Sequence, residues 1–272
     1  MGTNWNLTVR KSWSLTMGDP GTYIYAVGRE LSADRITSVR GLGGSELRLI
    51  EQEGLVAVVS TVDLDEFGES GLRRNLEDLS WLEEVARGHD EVVRSAAAAA
   101  PTIAPLRLAT ICHTDEGVRR RLDEWHHDLV QALDRIEGRS EWSVKAYTTP
   151  PAPTVDRDET EVPDSGTAYL RRRRAQLAQD EQAAVDSAVV ADEVHSDLAA
   201  GSVASRRLAP QDRRLSGHSG TMTLNGAYLV DTDRSDSFHA LVRDLAERHP
   251  ETRLQLDGPW PPYSFATLDD TP

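Results

Sequence analysis

The residues in this chain best suited to covalent chemistry are its single cysteine and a neighbouring histidine, Cys112 and His113. A thiol beside an imidazole is the arrangement of a nucleophile and its activating base. Adjacent residues on a strand point to opposite faces, however, so these two side chains cannot form the hydrogen bond that activation requires. No Gly-x-Ser-x-Gly sequence supplies another nucleophile. We therefore predict no catalytic residue.

The remaining histidine candidates concern metal binding. His126 and His127 are adjacent, so they lack the i, i+4 spacing with an intervening glutamate that a zinc protease helix requires. We predict that they lie on a solvated helix face beside Trp125. His89 lies on an apolar helical stripe, where a hydrogen-bonded core histidine is a commoner role than a metal ligand.

Two short motifs are typical of ion or nucleotide sites. Asp231 and Asp233 could hold a divalent cation, because alternate carboxylates on an extended chain project to the same side. They also end a predicted strand and precede a predicted helix, where turn and N-cap roles explain both without a metal. The Gly-Leu-Gly-Gly sequence at 41–44 lacks the glycine spacing and the following helix of a dinucleotide loop. We predict no metal and no cofactor.

One basic cluster is a candidate for binding another protein. On a helix, four successive residues point around the whole circumference, so this run presents no single phosphate-binding face. Two interpretations stay open, namely ion pairs with acidic segments of the same chain and docking on an acidic partner surface. The cluster consists of Arg171, Arg172, Arg173 and Arg174.

The segment 258–266 combines three prolines with three aromatic residues. Its prolines exclude a helix or a central strand, so we predict an extended, polyproline-like strap. Such a strap would close a domain or present a rigid aromatic surface to a partner. We expect Trp260 to pack inward, and Tyr263 and Phe265 to lie nearer the rim.

Composition bounds the class of protein. The chain has 272 residues, of which 39% are hydrophobic and 28% charged, and its net charge is −15. This charge repels phosphate backbones and anionic membranes, so we predict protein partners and neither nucleic acid nor a membrane. One cysteine excludes an internal disulfide, and no apolar run is long enough to span a bilayer. We predict a cytoplasmic protein.

Hydrophobic alternation and turn residues predict the strands. The strand at 55–60 forms a hairpin with its predecessor and is apolar enough to be central in its sheet. Pro105 interrupts another strand, which indicates an edge or a bulge. The strands are expected at 22–27, 47–50, 55–60, 102–111, 141–147, 202–208, 221–230 and 253–256.

Apolar residues at helical spacing predict four helices, at 80–99, from Thr114 or Asp115 to Gly138, at 166–200 and at 235–248. A capping box of Ser80 and Glu83 begins the first. The third has an alanine-rich seam, so we expect it to approach a neighbour closely along its length. That seam comprises Leu170, Leu177, Ala184, Ala188, Ala191 and Leu198.

These elements predict an α+β fold of two domains, each an antiparallel sheet with helices packed on one face. A proline-rich acidic segment at 149–165 has linker composition and sets the boundary. We expect a disordered extension at 1–20, an N-terminal domain at 21–148, and a C-terminal domain at 166–272 that ends in the aromatic strap.

Several of these stretches carry a family resemblance. The sequence from Gly258 to Phe265, the preceding 224–230 strand, the start of the 166–200 helix and the His89-Asp90 pair resemble the gas vesicle protein GvpL/GvpF family. The resemblance extends over most of the chain from about Thr22 onward. It implies two α+β domains, the first loosely ferredoxin-like.

The resemblance also implies a function. It indicates a minor gas vesicle protein that acts in assembly by binding the small, apolar main shell protein and other accessory gas vesicle proteins. An acidic carrier would keep that aggregation-prone subunit dispersed during nucleation. The rival interpretation is a small-molecule or metal-dependent enzyme that uses the cleft between the domains.

Overall fold

The computed structural model describes residues 18–32, 36, 39–148, 166–210 and 220–266. Two compact units divide the chain, one formed by Met1–Glu137 with Ala266–Pro272 and the other by Gly138–Phe265. Each unit contains an antiparallel sheet and helices, which confirms the predicted α+β class. The predicted linker and all but the last three residues of the predicted extension lie outside the described residues.

The first unit is built on a sheet of order β2-β3-β1-β4, with a short β5 that also pairs with β1. The central strands β1 and β3 are buried over most of their length, because their β-branched and aromatic residues suit a sheet interior. The hairpin and its central second strand are confirmed. The strands are β1 (Pro20–Gly28), β2 (Leu47–Gln52), β3 (Leu55–Asp63), β4 (Ile103–Pro105) and β5 (Ile111–Cys112).

The strand predicted at 102–111 is two short strands in the structure. Pro105 ends β4, which lies at the edge of the sheet, as expected for a residue without a backbone donor. The ferredoxin-like description of this unit stays a prediction.

The helices of the first unit are α1 (Leu64–Phe67), α2 (Glu69–Asn75), α3 (Leu79–Ala99), α4 (Asp115–Glu124) and α5 (His126–Ile136). The predicted capping box is wrong. The Asp78 carboxylate accepts from the backbone N–H groups of Ser80 (2.9 Å) and Trp81 (3.3 Å), so Asp78 is the N-cap and Ser80 lies within the helix. Aspartate caps a helix as well as serine does, and here it stands one position before the first helical residue. The second predicted helix breaks at Trp125 into α4 and α5.

The second unit contains a sheet of order β7-β8-β6-β9, formed by β6 (Arg139–Thr148), β7 (Ala204–Arg207), β8 (Met222–Asp231) and β9 (Thr252–Trp260). The sequence-based division placed β6 in the first domain. In the structure it lies between β8 and β9 and pairs with both. Composition favoured the later boundary because the proline-rich segment follows β6, whereas the short connection before it carries no linker signal.

Two helices cover one face of this sheet, α6 (Gly166–Ala200) and α7 (Ser235–Arg248), both at their predicted positions. Inward residues of β6 and β8 alternate, as expected for a strand with one face against helices. Only the C-terminal part of α6 joins this core. The buried core consists of Trp142, Val144, Ala146, Ala191, Val194, Leu198, Leu224, Tyr228, Val230, Phe238, Val242 and Leu245.

Among the described residues, no helix is both long enough and apolar enough to cross a membrane.

Candidate protein-interaction surface

The cysteine and its histidine neighbour are not arranged as a nucleophile and base. Cys112 is buried on β5, where it pairs with Thr22, while His113 is exposed. Burial raises the pKa of the Cys112 thiol, and the nearby Arg121 lowers it only in part. A buried thiol with a raised pKa is a poor nucleophile, because the reactive species is the thiolate.

His126 and His127 each have an ordinary hydrogen-bond partner at the start of α5. The His126 Nε2 lies 3.1 Å from the Glu53 carbonyl oxygen. The His127 Nε2 lies 2.9 Å from the amide nitrogen of Gln131, one helical turn further on. His126 is half-buried and His127 is exposed, so their roles are local contacts on the helix surface.

His89 belongs to a buried polar cluster in the first unit. The Tyr23 hydroxyl accepts from the Ala109 N–H at 2.9 Å, which leaves its own proton to donate to His89 Nδ1 at 3.0 Å. Tyr25 stacks near the His89 ring, and its hydroxyl lies 2.7 Å from the Ser60 hydroxyl. Burial lowers the pKa of His89 to about 4, with Asp90 raising it only in part. The predicted core role of His89 is confirmed.

The two aspartates after β8 have separate surroundings. Asp231 accepts from Arg139 Nε at 2.8 Å, and Asp233 is exposed in the turn at Thr232–Arg234. Neither side chain caps the following helix, whose N-cap is Arg234, so the N-cap part of the prediction is wrong. Asp231 is engaged instead by the ion pair across the sheet. Within the described ranges, no three His, Cys, Asp or Glu residues could together hold a metal ion.

The glycine-rich sequence at 41–44 forms a short 3-10 turn that leads into β2. A dinucleotide loop would lead into a helix, so this segment connects strands of the first sheet.

The basic cluster lies on an exposed part of α6. Arg171, Arg173 and Arg174 are exposed, and the side chain of Arg172 lies outside the described residues. The ion pairs that α6 makes involve acidic residues of its C-terminal part, such as Asp192 with Arg207. Within the part of the chain that the structure describes, the three exposed arginines form no ion pair. Both interpretations of the cluster, ion pairs with acidic segments of the same chain and docking on an acidic partner surface, stay predictions.

The aromatic segment departs from the predicted strap. Strand β9 continues through Pro259 to Trp260, which pairs with Glu141 of β6, and β9 is an edge strand as its proline requires. The Gly258–Pro259 peptide bond is cis. Beyond Trp260 the chain forms turns, with the Phe265 N–H donating to the Pro262 carbonyl at 3.1 Å. This segment is thus a strand followed by turns, where a polyproline-like strap was expected.

The order of burial among the three aromatic residues is the reverse of the expected one. Trp260 is 40% exposed, Tyr263 is half-buried, and Phe265 is only 3% exposed. Trp260 occupies the last position of the edge strand, where the chain has both Gly258 and Pro259 exposed beside it. The turns that follow then carry Phe265 into the interior.

A buried carboxylate that the sequence did not reveal fixes these turns. Glu141, 8% exposed, accepts from the Ser264 backbone N–H at 2.7 Å and from the Ser264 hydroxyl at 2.6 Å. Burial raises the pKa of Glu141, and the two bonds from Ser264 lower it in part. The only signal in the sequence is a charged residue at the start of an alternating strand, which does not name its partner.

The surface at the end of β9 can therefore present one large amphipathic ring on rigid backbone. Trp260 is held on one side by the pairing of β9 with β6 and on the other by the turns that Glu141 fixes. Exposed tryptophan on a preorganised support is the kind of group that anchors protein interfaces, because little conformational entropy remains to be lost on binding.

Comparison with known proteins gives consistent matches over almost the whole chain. The family model described as gas vesicle synthesis protein GvpL/GvpF matches residues 21–267. Gas vesicle protein L of a Streptomyces species is 42% identical over 250 residues, which are 90% of this chain and 92% of that protein. Gas vesicle protein F of the same species is 26% identical, over 90% of this chain and 98% of that protein.

Solved structures show the same fold. The crystal structure of GvpF from Anabaena sp. PCC7120 matches 92% of this chain and 97% of its own, with a TM-score of 0.63 at 18% identity. GvpF from Microcystis aeruginosa matches 91% of this chain and 99% of its own, with a TM-score of 0.62 at 17% identity.

Proposed function

The chain belongs to the GvpL/GvpF family of gas vesicle proteins, and we propose that it acts in vesicle assembly by binding the apolar main shell protein. Other accessory gas vesicle proteins are its further partners. In this role it keeps the shell protein dispersed until the subunit enters the growing vesicle, and it works at the vesicle in the cytoplasm.

The observation that carries this proposal is the Trp260 ring at the end of β9. Its 40% exposure leaves a large apolar area in water on a fixed backbone, beside the exposed Gly258 and Pro259. An apolar partner that covers the ring removes this area from water, and tryptophan at such positions commonly contributes about 2 kcal/mol or more to binding.

The charge of the chain supports the proposal that it keeps the shell protein dispersed. A net charge of −15 keeps copies of a carrier apart by mutual repulsion, and it keeps a complex with an apolar subunit in solution. Binding through one ring while the rest of the surface stays charged would shield the apolar subunit from its own copies.

The test compares Trp260→Ala with the unaltered chain in binding to the purified main shell protein. Because the ring is exposed in the chain alone, the variant should melt within a few degrees of the parent and bind about 30-fold more weakly, the equivalent of ~2 kcal/mol. Leu79→Ala is the matched control, since Leu79 is 70% exposed at the start of α3 and has no role in the proposal. Unchanged shell-protein binding by the Trp260 variant would show that this surface does not bind the shell protein.

A further inference from the structure

The N-terminal half of α6 exposes an apolar stripe. Leu170 is 57% exposed and Leu177 48% exposed, and Ala184 is exposed as well. Residues seven apart lie almost on the same line of a helix, so these three continue the line on which Ala191 and Leu198 are buried in the core. The predicted seam is therefore real, but only its C-terminal end has a neighbour among the described residues.

Opposite charges are separated along this half of α6. Arg171, Arg173 and Arg174 stand in its first three turns, while Asp180 and Glu181 follow toward its C-terminal end. In the part of the chain that the structure describes, Arg173, Arg174 and Glu181 take part in no ion pair. An isolated helix gains nothing from this order of charges, whereas an antiparallel partner with the same order is complementary to it.

We propose that the exposed half of α6 pairs with the same helix of a second copy of this chain, antiparallel, with the two-fold axis at Leu177. Leu177 then meets its own counterpart, and Leu170 meets Ala184 of the second copy at either end. A leucine thus faces an alanine at each end of 170–184 and two leucines meet at the centre, in a contact about 21 Å long at 1.5 Å per residue. This inference does not depend on binding of the shell protein.

The same axis brings opposite charges together on both flanks of the stripe. Arg173 and Asp180 are seven apart and lie on one flank, and Arg174 and Glu181 lie on the other. In the antiparallel pair, Arg173 of each copy stands beside Asp180 of the other, and Arg174 beside Glu181. Four ion pairs flank the apolar contact, and a parallel pair would place like charges side by side instead.

The experiment measures the mass of the full chain by sedimentation and light scattering over a concentration series. The parent should pass from the monomer mass of 30.0 kDa to twice that mass as its concentration rises. One variant carries Arg173→Glu with Arg174→Glu, and a second carries Asp180→Arg with Glu181→Arg. In either variant alone like charges face each other, so its dissociation constant should rise about tenfold or more.

An equimolar mixture of the two variants is the decisive sample, because each then offers the charge that the other lacks. The mixture should recover the dimer mass. Leu177→Asp should also abolish dimers, while Gln179→Asp, on the opposite face of the helix, should not. A helical circular dichroism signal equal to the parent's excludes loss of the helix as the cause. A parent chain that stays at 30.0 kDa, charge variants that still dimerise, or a mixture that stays monomeric would each overturn the proposal.

Discussion

Replacing Gly258 by alanine tests how the end of β9 is held. Gly258 has a φ of +140°, a region that residues with a side chain rarely adopt. A Cβ atom there would lie 2.9 Å from Cε3 of Trp142 and 3.0 Å from the Glu141 carbonyl oxygen. The substitution therefore combines backbone strain with a steric clash against the neighbouring strand.

The expected cost follows from these two terms. A side chain in this backbone region costs about 1–3 kcal/mol, and overpacking a buried contact costs a further ~1–3 kcal/mol. We expect the free energy of local unfolding of the second sheet to fall by about 3 kcal/mol or more. Trp142 is only 4% exposed and packs in the core, so the ring has little room to yield.

Hydrogen exchange measures this locally. Amides of β6 and β9 should exchange about 100-fold faster or more in Gly258→Ala, since each 1.4 kcal/mol is a factor of ten, while those of β1 should be unchanged. Gly138→Ala is the control, because Gly138 also has a positive φ, of 68°, but a Cβ there meets no atom within 4 Å. It should cost about 1 kcal/mol. Equal effects of the two substitutions would refute the steric part of the reasoning.

Four further results are expected. Phe265→Ala should cost about 3–5 kcal/mol in thermal unfolding, because its ring is buried, and a melting temperature within a degree of the parent's would contradict this. Because the folded pKa of His89 is about 4 against an ordinary 6.5, stability present above pH 6.5 should be lost as the pH falls toward 4. In urea unfolding, the free energy of unfolding should fall by roughly 3 kcal/mol over this pH range, and the His89→Asn variant should not show this fall. Cys112→Ser should support vesicle formation if it folds, and a folded variant without vesicles would revive the enzyme interpretation. Limited proteolysis should cut first within 149–165, and faster cutting within 80–99 would contradict the proposed linker.

Local patterns predicted the elements well, because their signals lie within each segment. The alternation of Trp142, Val144 and Ala146 predicts a half-buried strand, and the spacing of the α7 residues predicts its helix. The domain to which a strand belongs depends on pairing with residues far along the chain. Strand β6 pairs with β8, about 80 residues later, and no feature of its own sequence records that.

The aromatic segment could be singled out from the sequence, but its geometry could not. Prolines and aromatic rings identify the segment around Trp260, since both types are distinctive there. Which ring is exposed depends on the turns that the Glu141–Ser264 contact fixes, a pairing over 123 positions. The apolar stripe of α6 shows the same limit, because the periodicity predicts an apolar seam and does not show that only its C-terminal part packs in the core.

The most direct test of the proposed role in assembly is aggregation of the purified main shell protein, followed by light scattering while this chain is added in increasing amounts. The chain should suppress scattering in proportion to its concentration, both proteins should co-elute, and Trp260→Ala should shift the required concentration upward by about 30-fold. Shell protein that aggregates at the same rate with or without the unaltered chain, and that never co-elutes with it, would contradict the proposed role in assembly.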